Sequence, residues 1–371
     1  MQERHFMHAS EALAEAAIQA GCRFYAAYPI TPSSEVLEYM AKRMPEVGGV
    51  CMVPESEIAA VSMVLGAAAC GVRSMIASCS TAVALMQETF SHAAYCEVPF
   101  VAVNMTRYLL QSDYYQAVKG GGYGDYRMIV LAPHTTQEMV DLTMLAFHLS
   151  DKYRNPALIL SDHLMAHTTE TVEFPKLDES DLPPKDWATT GAQGRPQSYI
   201  VPFDYVIPRS GDVVQEEPGD SWWDETGHAR DIAGNRRRST KSKLATIAAH
   251  EQRAECRYAE DCDVLVVAFG SAARTAKVAV EAARREGLRA GIVRPITLWP
   301  FPGEAIAHAA ARATAVLVYE LNLGQMVEDV RAAVFGRAPV HWFGGAGTQG
   351  VGFGATYTAR EVLEAIKKAA R

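Results

Sequence analysis

Phe100-Val-Ala-Val-Asn104, Met128-Ile-Val-Leu-Ala132 and Ala157-Leu-Ile-Leu160 decide the fold. Each is a continuous apolar run rather than an alternation of apolar and polar residues. A strand with one wet face alternates. A strand covered on both faces does not, and parallel strands are covered on both faces because their connecting helices pack there. Further strands are predicted at 24–28 and 74–78. Between them lie segments with helical composition. Residues 9–20 (ASEALAEAAIQA) are rich in strong helix formers, with Gly21 placed to close them. Residues 33–43, 55–70, 81–95 and 136–150 also read as helices. Strand–helix alternation predicts a layered α/β domain over residues 1–167 with a parallel sheet.

The rhythm lapses over residues 168–262. Prolines accumulate there, Trp222-Trp223 stand together, and Arg236-Arg237-Arg238 form a short basic run. No helical period is sustained before about 239–250, so an extended proline-containing connection is expected. A basic run this short in an acidic chain reads as a solvated face or an interface strap rather than a nucleic-acid patch. At residue 263 the alternation resumes, with strands at 263–269, 289–293, 315–320 and 339–343. Helices are predicted at 272–286, 303–312, 324–335 and 357–370. Residues 263–371 are thus a second, smaller α/β domain.

Composition agrees with this division. The 371 residues suit about two domains, and 49% hydrophobic with 21% charged residues is ordinary for a folded chain. A net charge of −8 argues against nucleic acid as the main partner, because neutralising phosphates needs excess Lys and Arg. No run reaches about 18 apolar residues, so no membrane span is expected. Met1-Gln-Glu-Arg-His5 lacks the basic start and apolar run of a secretory signal, and a cytoplasmic location is the expectation. The seven cysteines, at 22, 51, 70, 79, 96, 256 and 262, contain no C-x-x-C pair. The chain is therefore expected to carry neither a metal site nor an iron–sulfur cluster of its own.

Several motifs carry chemistry. Tyr28-Pro-Ile-Thr-Pro-Ser-Ser-Glu35 lies where a parallel strand ends and a helix begins, which is where open α/β sheets bind ligands. Two prolines frame Thr31 and present its hydroxyl; read locally, the same stretch is a helix start with Thr31 or Ser33 as N-cap and Pro32 as first helical residue. Glu57 opens a helix that is otherwise apolar all round, the pattern of a buried helix. It is either a first-turn acid favoured by the helix dipole or a buried carboxylate awaiting a partner. Arg107 directly follows a buried strand and suits a carboxylate clamp, or is a loop arginine facing water. Gly345-x-Gly347-x-x-Gly350 has dinucleotide spacing, but no later strand supplies the acidic residue that reads ribose, so it is taken as a close-packed loop. Lys119-Gly-Gly-Gly-Tyr-Gly124 reads as a mobile loop, possible rim of a cleft. His163 and His167 have helical ligand spacing without a third ligand, and read as strand-end histidines. There is no P-loop and no nucleophile elbow.

These residues carry a resemblance. GCRFYAAYPITPSSEVLEYMAKRMPEVGGV (21–50), ESEIAAVSMVLGAAACG (55–71) and ALMQE (84–88) resemble the alpha subunits of 2-oxoacid:ferredoxin (acceptor) oxidoreductases. So do DVLVVAFGSAARTAKVAVEAARREGLRAGIVRPITLWPFP (263–302), VLVYELNLGQMVEDVR (316–331) and the linker GHARDIAGNRRRSTKSKL (227–244). The resemblance implies a thiamine diphosphate pyrimidine-binding domain followed by a transketolase C-terminal-like domain. It implies a beta subunit holding the diphosphate and magnesium through a Gly-Asp-Gly…Asn motif, which this chain lacks. Gamma and ferredoxin-like subunits would hold iron–sulfur clusters. Coenzyme A would accept the acyl group after oxidative decarboxylation, a reaction of anaerobic metabolism. Glu57 matches the glutamate that hydrogen-bonds the aminopyrimidine, Thr31 the threonine beside cofactor and substrate, and Arg107 the arginine on the 2-oxoacid carboxylate. Tyr28, Pro29 and Ile30 would line the cofactor.

Two departures bear on the substrate. Ser78-Cys-Ser-Thr-Ala82 replaces a Ser-Gly-Pro-Gly segment, and Tyr108-Leu-Leu-Gln-Ser-Asp-Tyr-Tyr-Gln116 replaces a Gly/Pro/Thr-rich one. The tyrosines of 108–126 suit either an aromatic 2-oxoacid such as phenylglyoxylate or a lid that packs on itself. The alternative function is a non-catalytic scaffold subunit of the same kind of complex.

Overall fold

The computed structural model of the chain describes residues 4–107, 109–176, 185, 188, 232–348 and 355–371, with residues 232–239 described as backbone. Tyr108, Trp222-Trp223 and Gly350 lie outside the described residues, as do the side chains of the basic run 236–238. The elements in chain order are β1 (Arg4–His8), α1 (Ala9–Gln19), β2 (Phe24–Ala26), α2 (Ser34–Arg43), β3 (Val50–Met52), α3 (Glu57–Ala69) and β4 (Ser74–Ser78). Then follow α4 (Ser80–Leu85), α5 (Gln87–Cys96), β5 (Val101–Thr106), α6 (Tyr114–Val118), β6 (Ile129–Leu131), α7 (Thr136–Tyr153), β7 (Ala157–Asp162), α8 (His163–Ala166) and β8 (Thr169–Glu173). The remainder is α9 (Ile232–His250), β9 (Ala254–Arg257), β10 (Val264–Val267), α10 (Gly270–Arg285), β11 (Ala290–Pro295), β12 (Thr297–Trp299), α11 (Gly303–Ala310), β13 (Ala315–Glu320), α12 (Met326–Val334), β14 (Val340–Gly344) and α13 (Ala359–Ala369).

The apolar runs form parallel strands. A seven-stranded sheet has the order β12-β6-β7-β5-β4-β2-β3, parallel except for β12. A five-stranded sheet has the order β14-β13-β10-β11-β9, parallel except for β9. One face of the large sheet packs on α1, α2 and α7 through Leu13, Met40, Met75 and Phe147. The other face shares a core with the second half of the chain: Phe90, Phe100 and Tyr114 belong to the same cluster as Phe269, Leu298 and Met326. β12 even crosses to pair with β6. A third cluster seats α10 and α13 on the smaller sheet. No helix among the described residues is long and apolar enough to cross a membrane.

Some expectations need correction. The helix predicted at 81–95 is two helices meeting at Met86. The stretch expected to connect the halves, 168–262, carries β8 at one end, and α9 and β9 at the other; β8 pairs with β1, and β9 joins the smaller sheet. The missed strands are short, and the exposed–half-buried alternation of β1 mixes polar and apolar residues too evenly to show. The main correction concerns α3, which is not buried all round. Ile58 is 53% and Met63 39% exposed, and Ser62 and Gly66 share that face. Composition made the helix apolar; among the described residues only one side of it is covered.

Charged contacts hold the halves together. The Arg294 side chain, 1% exposed, donates to Glu138 Oε1 at 2.6 Å and Oε2 at 3.0 Å and to Glu255 Oε2 at 2.8 Å. Lys277 reaches Glu255 Oε2 and His134 Nε2, each at 2.7 Å, and Arg274 pairs with Glu170 at 2.7 Å. Among the described residues His134, Glu138 and Glu255 are the one group compact enough to suggest a metal, yet these cations already neutralise it.

Candidate active site

Register fixes what meets at the carboxyl edge of the large sheet. Ala26 pairs with Met52, Tyr25 with Met75, Ser78 with Asn104, and Thr106 with Asp162. Continuing each strand outward therefore sets the start of α3 with Glu57, the Tyr28–Thr31 loop, Cys79, Arg107 and His163 side by side along one edge. The charges of Arg107, Asp113 and Glu57 all act on the Cys79 thiol, so Glu57 and Arg107 lie near one another at this edge.

The Pro-framed loop differs from the local reading. Ser33 is the N-cap of α2, and its Oγ donates to Ile30 O at 2.9 Å instead of capping the helix. Pro32 thus precedes the helix, and Thr31 is neither N-cap nor helical. Tyr28, Pro29 and Thr31 are exposed and Ile30 is half-buried. Thr31 makes no hydrogen bond among the described residues, which leaves its hydroxyl for something outside the chain.

Glu57 is the first residue of α3, one place after the N-cap Ser56, whose Oγ accepts from Ala59 N at 3.2 Å. The cap role is thus filled by Ser56. Glu57 is half-buried and makes no hydrogen bond or ion pair among the described residues. Close to it in the chain, the side chains of Val53 and Ile58 are exposed. A carboxylate set in an apolar surface without a partner is costly unless a ligand or second chain completes it.

Arg107 is half-buried, so it is not a loop arginine facing water. Its backbone N donates to Ser80 Oγ at 3.0 Å, and its guanidinium lies against Cys79. Burial pushes the Cys79 thiol up, and Arg107 opposes that shift. Cys79 itself is the N-cap of α4, in the segment that departs from the family pattern. On the far side of Arg107 stand His163 and His167, with ring centroids 4.6 Å apart, and Glu35, 3.7 Å from His167 Nδ1. Sequence reading left these histidines as strand-end residues and did not find Glu35, Cys79 or Asp113. The available signal was position: His163 follows its apolar strand as Arg107 follows its own.

The segment after Arg107 packs inward. Tyr114 is fully buried and donates to Asp329 Oδ2 at 2.7 Å. Gln111 binds across to the second half through Phe269 O at 2.7 Å and Leu321 N at 2.9 Å. Gly270, with φ +52° and space for a Cβ only 3.1 Å from Gln111 Nε2, lets α10 begin against this contact. The loop 119–124 expected to be mobile is tied down: Gly121 N donates to Gln87 Oε1 at 3.0 Å and Gly122 N to Tyr126 OH at 3.1 Å. Tyr126 OH in turn donates to Gln87 Oε1 at 2.9 Å. Tyr114 and Tyr126 of this tyrosine-rich stretch thus pack on the protein itself.

The architecture is thus a doubly covered, mainly parallel sheet with an open carboxyl edge, joined to a smaller, mainly parallel sheet. Residues 15–217 match the family described as pyruvate flavodoxin/ferredoxin oxidoreductase, thiamine diphosphate-binding, and residues 262–354 match pyruvate:ferredoxin oxidoreductase core domain II. Ketoisovalerate oxidoreductase subunit VorB of Methanothermobacter marburgensis is 38% identical over 85% of this chain and 86% of its own length. The 2-oxoglutarate synthase subunit KorA of Methanothermobacter thermautotrophicus is 36% identical over 92% of this chain and 93% of its own. Among solved structures, a 2-oxoglutarate:ferredoxin oxidoreductase from Magnetococcus marinus superposes over the whole chain, which spans 66% of that chain, with TM-score 0.82 at 24% identity; this likeness concerns the fold. The chain belongs to the 2-oxoacid:ferredoxin oxidoreductase family, as a subunit with a thiamine diphosphate-binding domain.

Proposed function

We propose that this chain is the catalytic alpha-type subunit of a cytoplasmic 2-oxoacid oxidoreductase. It contributes the pyrimidine side of a thiamine diphosphate site and the anchor for the substrate carboxylate. The observation that supports this reading is that Glu57 and Arg107 both act on the Cys79 thiol at the carboxyl edge where the Thr31 loop also ends its strand, with Glu57 making no hydrogen bond or ion pair among the described residues. The site fits half of the cofactor. The exposed face of α3 fits a beta subunit that brings the diphosphate and its magnesium, and further partners bring the iron–sulfur clusters that take the electrons.

When bound, thiamine diphosphate supplies a nucleophilic carbon that adds to the 2-oxo carbon and retains the electron pair released as carbon dioxide leaves. Glu57 hydrogen-bonds the aminopyrimidine ring and holds a proton there. Wherever the assembled site excludes water, low polarity would strengthen that bond. Tyr28, Pro29 and Ile30 form a wall beside the ring. Thr31 offers a hydroxyl between cofactor and substrate. Arg107 pairs with the substrate carboxylate, for which its planar fork is matched. Coenzyme A would be the acyl acceptor, the electrons of the oxidation going to the partners' iron–sulfur clusters. Two of the tyrosines that suggested an aryl substrate are committed elsewhere, Tyr114 to Asp329 and Tyr126 to Gln87. The proposed substrate is an aliphatic or dicarboxylic 2-oxoacid, the kinds named for the two relatives above.

The test is the chain purified with its co-expressed neighbours. The complex is assayed against a panel of 2-oxoacids with a viologen acceptor, with and without coenzyme A. In the same complex Glu57→Gln should slow hydrogen–deuterium exchange at the cofactor's reactive carbon by about 10²- to 10⁴-fold, the range of general acid–base catalysis. Exchange at the parental rate would show Glu57 to be a first-turn acid and nothing more.

A further inference from the structure

We infer that His163 is a second hydrogen-bonding arm of the 2-oxoacid site, standing beside Arg107. This inference rests on the function proposed above and adds to it a residue that neither the motifs nor the family comparison assigned.

Position comes first. Thr106 and Asp162 are partners in the parallel pair of β5 and β7, so Arg107 and His163 leave adjacent strands at the same level. Asp162 is buried, and its carboxylate accepts from Met165 N at 2.9 Å, which fixes the first turn of α8 and hence the direction in which residue 163 leaves the sheet. The ring is braced as well. His167 meets it edge-to-face with centroids 4.6 Å apart, and Glu35 stands 3.7 Å from His167 Nδ1. Glu35 comes from the helix that the Thr31 loop opens, so the brace ties the two walls of the site together.

Unmet bonding comes second. His163 Nδ1 is shielded from solvent and has no hydrogen-bond partner among the described residues, and the same holds for Glu35 Oε2. Shielded polar atoms are nearly always bonded, so an orphan beside a binding edge points to a ligand that completes it. Burial, then the His167 and Arg107 charges, lower the proton affinity of His163, while Glu35 opposes them. The neutral imidazole, which has one N–H to donate, is thereby favoured. A carboxylate or oxo oxygen held by Arg107 is the acceptor within its reach. Glu35, His163 and His167 are not among the described groups compact enough for a metal ion.

The test uses the assembled complex and separates the two ring nitrogens. An asparagine amide nitrogen overlies Nδ1, whereas a glutamine amide nitrogen overlies Nε2. His163→Ala should raise KM for the 2-oxoacid by about 10- to 100-fold, the weight of a hydrogen bond to a charged group, with kcat little changed. His163→Asn should restore KM and His163→Gln should not. Calorimetry with an unreactive 2-oxoacid analogue should follow the same order. Exchange at the cofactor's reactive carbon, measured without substrate, should be unaltered in all three. An unchanged KM in His163→Ala, or a failure of Asn to rescue, overturns the role of His163. Absence of both exchange and 2-oxoacid oxidation in the parental complex instead overturns the function on which it rests.

Discussion

Replacing Arg294 by Met tests whether the charged network, rather than the shared apolar core alone, holds the second half of the chain against the site. Arg294 is 1% exposed and serves two carboxylates on different elements, Glu138 on α7 and Glu255 on β9. Breaking a buried pair by removing one partner costs about 3–5 kcal/mol, because a charge is left uncompensated. Here each carboxylate keeps a second partner: Glu138 keeps His134 Nδ1 at 2.8 Å and Glu255 keeps Lys277 at 2.7 Å. They are also 20% and 31% exposed, so water replaces part of the loss. The expected cost falls to about 2–3 kcal/mol, or about 3–4 °C in Tm for a cooperative unit of this length. The pH dependence has a defined sign. Burial by itself would raise Glu138, but the hydrogen bond from His134 and the Arg294 charge outweigh it and bring it to about 2. A carboxyl group depressed in the folded state stabilises fully above its unfolded value, near 4.5, and loses that contribution as pH falls towards 2. The gap between parent and Arg294→Met should therefore be full at pH 7 and narrow below pH 4.5. Thermal melts of both proteins across pH measure it. A Tm within about 1 °C of the parent at pH 7, or a gap that persists at low pH, refutes the reasoning.

Arg107→Ala should lower kcat/KM for 2-oxoacids by about 10- to 100-fold while leaving cofactor proton exchange intact; an unchanged specificity constant would dismiss the carboxylate anchor. Tyr114→Phe should cost about 1–2 kcal/mol of stability by removing the bond to Asp329, without altering the ratio of aryl to aliphatic turnover. A shift in that ratio would return the tyrosine to the substrate pocket.

Local pattern was sufficient where one residue run sets one property. The unbroken apolar strands announced parallel sheets, since no half-exposed strand is apolar on both faces. The Pro-framed Thr31 and the acid Glu57 that opens an apolar helix could be singled out as candidates, while a helix start and a first-turn acid stayed open as local readings of the same residues. Local pattern failed wherever the deciding neighbour was distant in sequence. Composition could not show that Ile58 and Met63 face outward, for that depends on which elements of the chain cover α3. It could not bring Glu35, Arg107 and His163 together, because register between strands, not spacing along the chain, sets that meeting. Nor could it show that Tyr114 is spent on Asp329, 215 residues away. The sequence by itself determined the sheets and the residues able to do the chemistry. Tertiary structure alone decided which side chains have partners among the described residues, because hydrogen bonds and burial are settled by contacts that no local periodicity encodes.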